Sequence, residues 1–212
     1  MVVSEMADVM DPLQPIPVPH VMPHPNEDPR RILLVMDVQK FMLSPPPLGV
    51  PASGVVGTNI SKILAQARNA SHPPRIIFVR NHGDRGEPDE PNTIGWQLVH
   101  DPLPREYVID KRKNNAFAGT ALAELIPADA EIVMIGMQSD FCIRATCSSA
   151  LERGNDVLLI KLAHATFDRL EVWGSGAVTP AAQVEKEIES ELEEAGVILL
   201  EMKDLPSIFD NR

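Results

Sequence analysis

The sequence predicts an α/β domain: a doubly wound three-layer α/β/α sandwich, Rossmann-like, around a six-stranded, mainly parallel sheet. Short apolar segments recur along the chain, helical patterns lie between them, and the connections are short. The apolar segments are continuous rather than alternating, as in strands buried on both faces of a parallel sheet. The predicted strands are Ile32–Met36, Ile76–Val79, Tyr107–Ile109, Ile132–Met137, Val157–Leu162 and Val197–Leu200.

The segments between these strands have apolar residues at spacings of three and four, which predicts helices. Gly154 and Gly196 follow two of the segments, where helices commonly end at a glycine. The predicted helices are Gly57–Ala70, Thr120–Leu125, Phe141–Glu152 and Ala181–Ala195. No repeat or second domain is visible, so residues 31–212 are predicted to form one domain.

Residues 1–30 differ from the rest of the chain. Prolines recur throughout this segment, and it has no hydrophobic periodicity. This composition predicts an extended proline-rich arm. Two interpretations stay open: a mobile tail, or an arm that packs on a neighbouring subunit.

The composition and charge of the chain exclude several classes of function. The net charge of −11 argues against a protein that binds nucleic acid or an anionic membrane surface. No apolar run reaches the ~18–20 residues that a membrane span needs. The N-terminus lacks the basic and apolar regions of a signal peptide, and two cysteines five residues apart make no disulfide framework. A cytoplasmic protein that acts on a small molecule is therefore expected.

Polar residues follow the predicted strands. Ligands of doubly wound folds bind beyond the carboxyl ends of the strands, so these residues are the candidates for chemistry. They are Asp37, Arg80 and Asn81, Asp110 and Lys111, Gln138 to Cys142, and His164 to Asp168.

Cys142 stands at the start of a predicted helix, after the turn Gln138–Asp140. Free amide groups in a first helical turn favour negative charge, so a thiolate nucleophile is expected there. The alternative is a small buried residue, as free cysteine often is.

Asp37 and Lys111 each end a predicted strand. Asp37 is suited to take a proton from a thiol and return it to a leaving amine, and an ammonium at Lys111 would stabilise both groups. Taken singly, Asp37 also fits a turn or helix cap, and Lys111 also fits a solvated basic cluster.

Four segments together resemble the isochorismatase-like cysteine hydrolases. Leu33–Gln39 is similar to the family's strand ending in Asp-x-Gln, and Val108–Thr120 to its lysine segment. Ile135–Thr146 is similar to the nucleophile turn Gly-x-x-Thr-Asp-x-Cys-Val-x-x-Thr, and Ala163–Asp168 to the segment after strand five. The resemblance extends over about residues 31–200.

The resemblance implies a catalytic triad of Cys142, Asp37 and Lys111, and an oxyanion hole from the backbone N–H groups of Gln138 and Cys142. It also implies a cis peptide bond at Met137–Gln138, no cofactor, and a homo-oligomer (dimer or tetramer). Residues predicted to bind substrate are Phe41, Arg80, His82, Trp96, Phe117, Phe141 and His164.

The departures from the family's pattern bear on the substrate. The family commonly has Phe five residues after the aspartate, where this chain has Met42, with Phe41 one position earlier. Nicotinamidases of the family carry an Asp-x-His…His metal site, whereas His82 and Asp84 have no second histidine near them before His100, so no metal is expected.

The predicted activity is hydrolysis of a C–N bond in a small amide, carbamoyl or ureido compound through a thioester at Cys142. One alternative is an isochorismatase in which Asp37 protonates the vinyl ether. Several isochorismatases of the family lack the cysteine, so the presence of Cys142 favours amide or ureide hydrolysis. A lesser alternative is a non-catalytic assembly or regulatory protein.

Overall fold

The computed structural model describes residues 27–171 and 176–209. Most of the predicted arm lies outside the described residues. The strands are β1 (Asp28–Met36), β2 (Pro74–Asn81), β3 (Tyr107–Lys111), β4 (Glu131–Met137), β5 (Asp156–Ala165), β6 (Arg169–Leu170), β7 (Val178–Thr179) and β8 (Ile198–Leu200). The helices are α1 (Ser53–Asn69), α2 (Leu122–Leu125), α3 (Arg144–Glu152), α4 (Ala181–Ala195) and α5 (Leu205–Ile208).

Six strands form one sheet in the order β3-β2-β1-β4-β5-β8, and every neighbouring pair is parallel. The predicted doubly wound α/β fold is therefore confirmed. The chain runs outward from β1 to β2 and β3, then crosses back to β4 on the other side of β1. The strand order thus reverses between β1 and β4, which is where ligands of such folds bind. β1 begins at Asp28, so residues 28–30, predicted as the end of the arm, belong to the strand.

The sheet has an apolar core on each face, which makes three layers. On one face, Leu33, Val35 and their neighbours pack against α1 and α5. On the other face, Ile32, Leu34 and their neighbours pack against α2, α3 and α4. Successive residues of β1 alternate between the two cores, and both sets are buried, because side chains of a strand point to opposite faces in turn.

Four features were not predicted, and α5 is one of them. Residues Ser139–Ile143 form one turn of π-helix before α3, where a single helix from Phe141 was expected. β6 and β7 form a short antiparallel pair after β5, and a 3₁₀ turn at Met202–Asp204 precedes α5. All are too short for hydrophobic periodicity to show them. No helix among residues 27–171 and 176–209 is both long and apolar enough to cross a membrane.

Gly136 brings β4 close to β1 beside the reversal point. Its φ is +121°, and an added Cβ would lie 1.9 Å from the carbonyl oxygen of Met36 and within 2.8 Å of two further backbone atoms of that residue. Because these atoms belong to a paired central strand, they have no room to move.

We expect Gly136→Ala to lower the free energy of unfolding by about 3 kcal/mol or more, since it combines overpacking with a backbone conformation that alanine disfavours. Urea denaturation measures this. The control is Gly54→Ala in α1, where an added Cβ meets nothing within 4 Å and alanine should stabilise by up to about 1 kcal/mol. Equal stability of the two variants would contradict the expectation.

Candidate active site

Asp37 directly follows β1 and is 1% exposed. Its backbone takes a left-handed conformation (φ 49°), and its N–H donates to the carbonyl of Val79 on β2 (2.8 Å). Aspartate tolerates this conformation better than most residues do, but such strain clusters at functional sites. The turn buries the carboxylate at the end of the sheet, beside β2 and β3.

Lys111 joins the three residues of the predicted triad. Its Nζ lies 2.8 Å from Oδ2 of Asp37 and 3.1 Å from Sγ of Cys142, and it donates a third bond to Oδ1 of Asn81 (3.2 Å). The ammonium therefore has three partners, the number of its hydrogens. The side chain is fully buried, which is tolerable only because these partners replace water. The solvated alternative for Lys111 is wrong.

Cys142 lies in the π-helical turn after β4, and its thiol reaches Nζ of Lys111 from the opposite side of β1. Two buried hydrogen bonds hold this turn against β5: Ser139 Oγ contacts Nδ1 of His164 (2.9 Å), and Thr166 donates to Asp140 (2.5 Å). The Met137–Gln138 peptide bond before the turn is cis, as predicted. Cys142 and Cys147 are both free, and Cys147 is buried in the core under α3.

Gln39 supports the site from behind. Its side chain accepts a hydrogen bond from the backbone N–H of Asn81 (2.9 Å) and donates to the carbonyls of Asn81 and Trp96 (both 3.1 Å). The Asp-x-Gln motif thus supplies the carboxylate and, two residues on, the amide that positions Asn81. Asn81 in turn donates to Oδ2 of Asp89 (2.6 Å).

Burial dominates the electrostatics of the triad. Burial and, after it, the Asp37 carboxylate raise the pKa of the Cys142 thiol to about 12, although Lys111 acts in the opposite direction. Burial also raises the pKa of Asp37 above its ordinary value, despite Lys111. Burial alone would lower the pKa of Lys111, but Asp37 and Cys142 together hold it above its usual value. Burial and the Asp37 carboxylate therefore oppose the ionisation of Cys142 that its place at a helix start was expected to favour.

A cleft of about 360 Å³ opens over Asp37 and Cys142. Its volume suits a small molecule. Cys142 is 8% exposed, whereas Phe141 beside it is half exposed. The walls are Asp37, Phe41, Met42, Asn81, Glu87, Pro88, Asp89, Asn114, Gln138, Phe141 and Cys142.

Of the residues predicted to bind substrate, Phe41 and Phe141 line this cleft, as do both residues of the predicted oxyanion hole. The other five are not among its walls. Arg80 forms a two-bond ion pair with Asp110 (2.6 and 2.9 Å) and stacks on the ring of Trp96 at 3.4 Å. His82 contacts Arg112 (3.0 Å). Phe117 packs against the core and under Arg153, and His164 is buried behind the nucleophile turn.

Asn81, Glu87, Asp89 and Asn114 are site residues that the sequence did not single out for binding. Arg80 and Asn81 both end β2, but Arg80 pairs in register with Asp110, whereas Asn81 pairs with Lys111. Because alternate residues of a strand point to opposite faces, Asn81 shares the side of Lys111 and Arg80 does not. The register between β2 and β3 is therefore the signal that could have identified Asn81 as a site residue. Among the described residues, no group of three His, Cys, Asp or Glu side chains is arranged to hold a metal ion.

Comparison with known proteins identifies the family to which this chain belongs. The family model of the isochorismatase domain matches residues 31–175. The chain belongs to the isochorismatase family. Its members are hydrolases, as the four motifs predicted, and the matched region holds all three residues of the triad.

Two streptothricin hydrolases of Streptomyces noursei are similar to this chain in sequence. One is 36% identical over 159 residues, which are 73% of this chain and 62% of that protein. The other is 38% identical over 140 residues, 64% of this chain and 50% of that protein. The chain thus spans about half to three fifths of the length of these relatives.

The family's fold is also seen in the crystal structure of an isochorismatase from Pseudomonas putida. It superposes with a TM-score of 0.73 at 27% identity, over 86% of this chain and 92% of that one.

Proposed function

We propose that this family member is a cysteine hydrolase that cleaves a C–N bond of a small amide, carbamoyl or ureido compound. The observation that carries the proposal is the buried Lys111 ammonium, bonded to both the Asp37 carboxylate and the Cys142 sulfur on the floor of an open cleft. A nucleophile, a group able to take its proton and a charge that orients both are the parts that acyl transfer through a thioester needs.

The geometry suggests how the proton moves. Oδ2 of Asp37 is held by Lys111, while Oδ1 has no hydrogen-bond partner among the described residues. Oδ1 would take the thiol proton as Sγ attacks the substrate carbonyl carbon. When the C–N bond breaks, the proton passes from Asp37 to the leaving nitrogen, and a thioester remains on Cys142. Water then attacks the thioester carbonyl and gives a proton to Asp37. As the C–S bond breaks and the acid leaves, Asp37 returns that proton to Sγ and the thiol is restored.

Negative charge develops twice on the carbonyl oxygen. The backbone N–H groups of Gln138 and Cys142, both on residues of the cleft wall, are proposed to receive it. Lys111 would stabilise the Cys142 thiolate only while the thiol proton is on Asp37. The thiol would therefore ionise as its sulfur attacks the substrate carbonyl. Two relatives are named for the hydrolysis of streptothricin, which supports hydrolysis, rather than binding alone, as the role of this domain.

The test is ammonia release from a panel of small amides and ureides, with isochorismate turnover measured in parallel. We expect ammonia from the wild type in the presence of a chelator, and none above background from Cys142→Ala. Mass spectrometry should detect an acyl adduct on Cys142 after rapid acid quench.

The same assays separate the alternative activity. Isochorismate turnover that survives Cys142→Ala would contradict a cysteine hydrolase and leave Asp37 as the catalyst. Cys147→Ala is the control, since Cys147 is buried away from the cleft and its loss should leave ammonia release intact in the folded fraction.

A further inference from the structure

The cleft over Cys142 carries an excess of negative charge. Its described walls include three carboxylates, on Asp37, Glu87 and Asp89, and neither a lysine nor an arginine. Lys111 lies beneath the floor and is occupied by Asp37, Cys142 and Asn81. A cleft lined by one sign of charge concentrates ligands of the opposite sign.

The neighbouring cations are not among the described walls of the cleft. The Arg80 guanidinium is paired with Asp110 through two bonds and covered by Trp96. Arg112 contacts His82, and Arg85, on the same loop as Glu87, is not a wall residue.

The two outer acids differ in how they are held. Asp89 is 5% exposed, and its Oδ2 accepts from Asn81, so this carboxylate is part of the scaffold. Glu87 is exposed on the cleft wall, and its Oε2 accepts from the backbone N–H of Asp84 (2.7 Å). That bond orients the carboxylate and leaves its other oxygen for a ligand.

A second observation points to a ligand in this cleft. The buried oxygen Oδ1 of Asp37, at the floor, lacks a partner among the described residues. Phe41 and Phe141 also line the cleft, and aromatic faces attract cations.

We propose that the substrate is a cation, an amide or ureide that also carries an ammonium or guanidinium group, and that Glu87 binds this positive group while Cys142 attacks the carbonyl. This inference rests on the proposed function for its scissile bond. It makes Glu87 a specificity-determining residue. The same charge disfavours isochorismate, which carries two carboxylates.

The first experiment measures the charge preference at Cys142 without any substrate. Two methanethiosulfonate reagents of similar size are used, the cationic 2-(trimethylammonio)ethyl and the anionic 2-sulfonatoethyl reagents. Peptide mapping gives the rate at Cys142, and each rate is divided by the rate for the urea-unfolded protein. We expect the cationic reagent to be favoured about tenfold or more at low salt, and this preference to shrink as salt rises.

The matched variants are Glu87→Gln and Glu90→Gln. Both acids lie on one loop and each accepts from one loop N–H, of Asp84 and Gly86 respectively, but only Glu87 lines the cleft. Glu87→Gln should reduce the cation preference about fivefold, and Glu90→Gln should leave it within twofold. No preference in the wild type, or an equal change in both variants, would overturn the inference.

The second experiment compares ammonia release from 6-aminohexanamide, heptanamide and adipamate, which present a positive, a neutral and a negative end. We expect kcat/KM to be at least about tenfold higher for the cation, with Glu87→Gln raising KM for the cation alone. Equal turnover of the three amides would overturn the charge inference but not the hydrolase. A cation preference at Cys142 without ammonia from any amide or ureide would contradict the proposed reaction and leave the charge of the site established.

Discussion

Asp37→Asn is expected to lower kcat/KM for amide hydrolysis at least about a thousandfold. Asparagine has the same shape but can neither take the thiol proton nor return it to the leaving nitrogen, and burial still opposes ionisation of the Cys142 thiol by raising its pKa. The measurement is steady-state ammonia release on the amide that the wild type prefers. A control is Asp110→Asn, which removes a strand-end carboxylate that pairs with Arg80 outside the cleft and should change kcat/KM only a few-fold.

The pH profile should identify the same group. Hydrolysis needs Asp37 ionised, and burial raises its pKa, so wild-type kcat/KM should fall on the acid side at a pH above the ~3.9 of an ordinary aspartate. The residual activity of Asp37→Asn should lack this acid limb. If Asp37→Asn instead retains activity within tenfold of the wild type, Asp37 is not the proton acceptor.

Lys111→Met is expected to destabilise the protein by about 3–5 kcal/mol at neutral pH and to abolish hydrolysis. Methionine nearly fills the space of the lysine stem, but it leaves the Asp37 carboxylate buried without its charge partner. The carboxyl would then be protonated in the folded state and unable to take the thiol proton. Chemical denaturation measures the stability, and ammonia release measures the activity.

The double variant Asp37→Asn/Lys111→Met separates the two effects. It removes both charges, so most of the lost stability should return while activity stays absent. The pH dependence follows from the direction of the shift. A carboxyl whose folded-state pKa is raised destabilises the fold as pH rises above the unfolded value, so the deficit of Lys111→Met should narrow as pH falls toward about 4. Wild-type stability in Lys111→Met at pH 7 would contradict this account of the pair.

The sequence predicted the fold and the meeting of the triad because both depend on strong local signals. Continuous apolar segments identify buried parallel strands, and polar residues at their ends must lie at one edge of the sheet. Asp37, Lys111 and Cys142 are among the residues that this rule selects, and the family resemblance is what distinguishes them from the others as a triad.

The remaining site residues depend on information that is not local. Asn81 rather than Arg80 reaches Lys111 because of the register between β2 and β3. Glu87 and Asp89 reach the cleft because a loop without periodicity folds back over it. His164, predicted to follow β5, lies within its last residues and packs behind the nucleophile turn, since β5 lies on the far side of β4 from the triad.

The hydrogen bonds of Asn81 divide the loop after β2 into fixed and replaceable parts. Asp89 is tied through Asn81 to Lys111, so a change there would disturb the proton chemistry as well as the pocket. The side chain of Glu87, among the described residues, accepts a hydrogen bond from its own loop, and this bond does not position any residue of the triad. A lineage with this scaffold is therefore free to acquire new substrates by exchanging residues 84–88, while the step that breaks the bond is inherited unchanged.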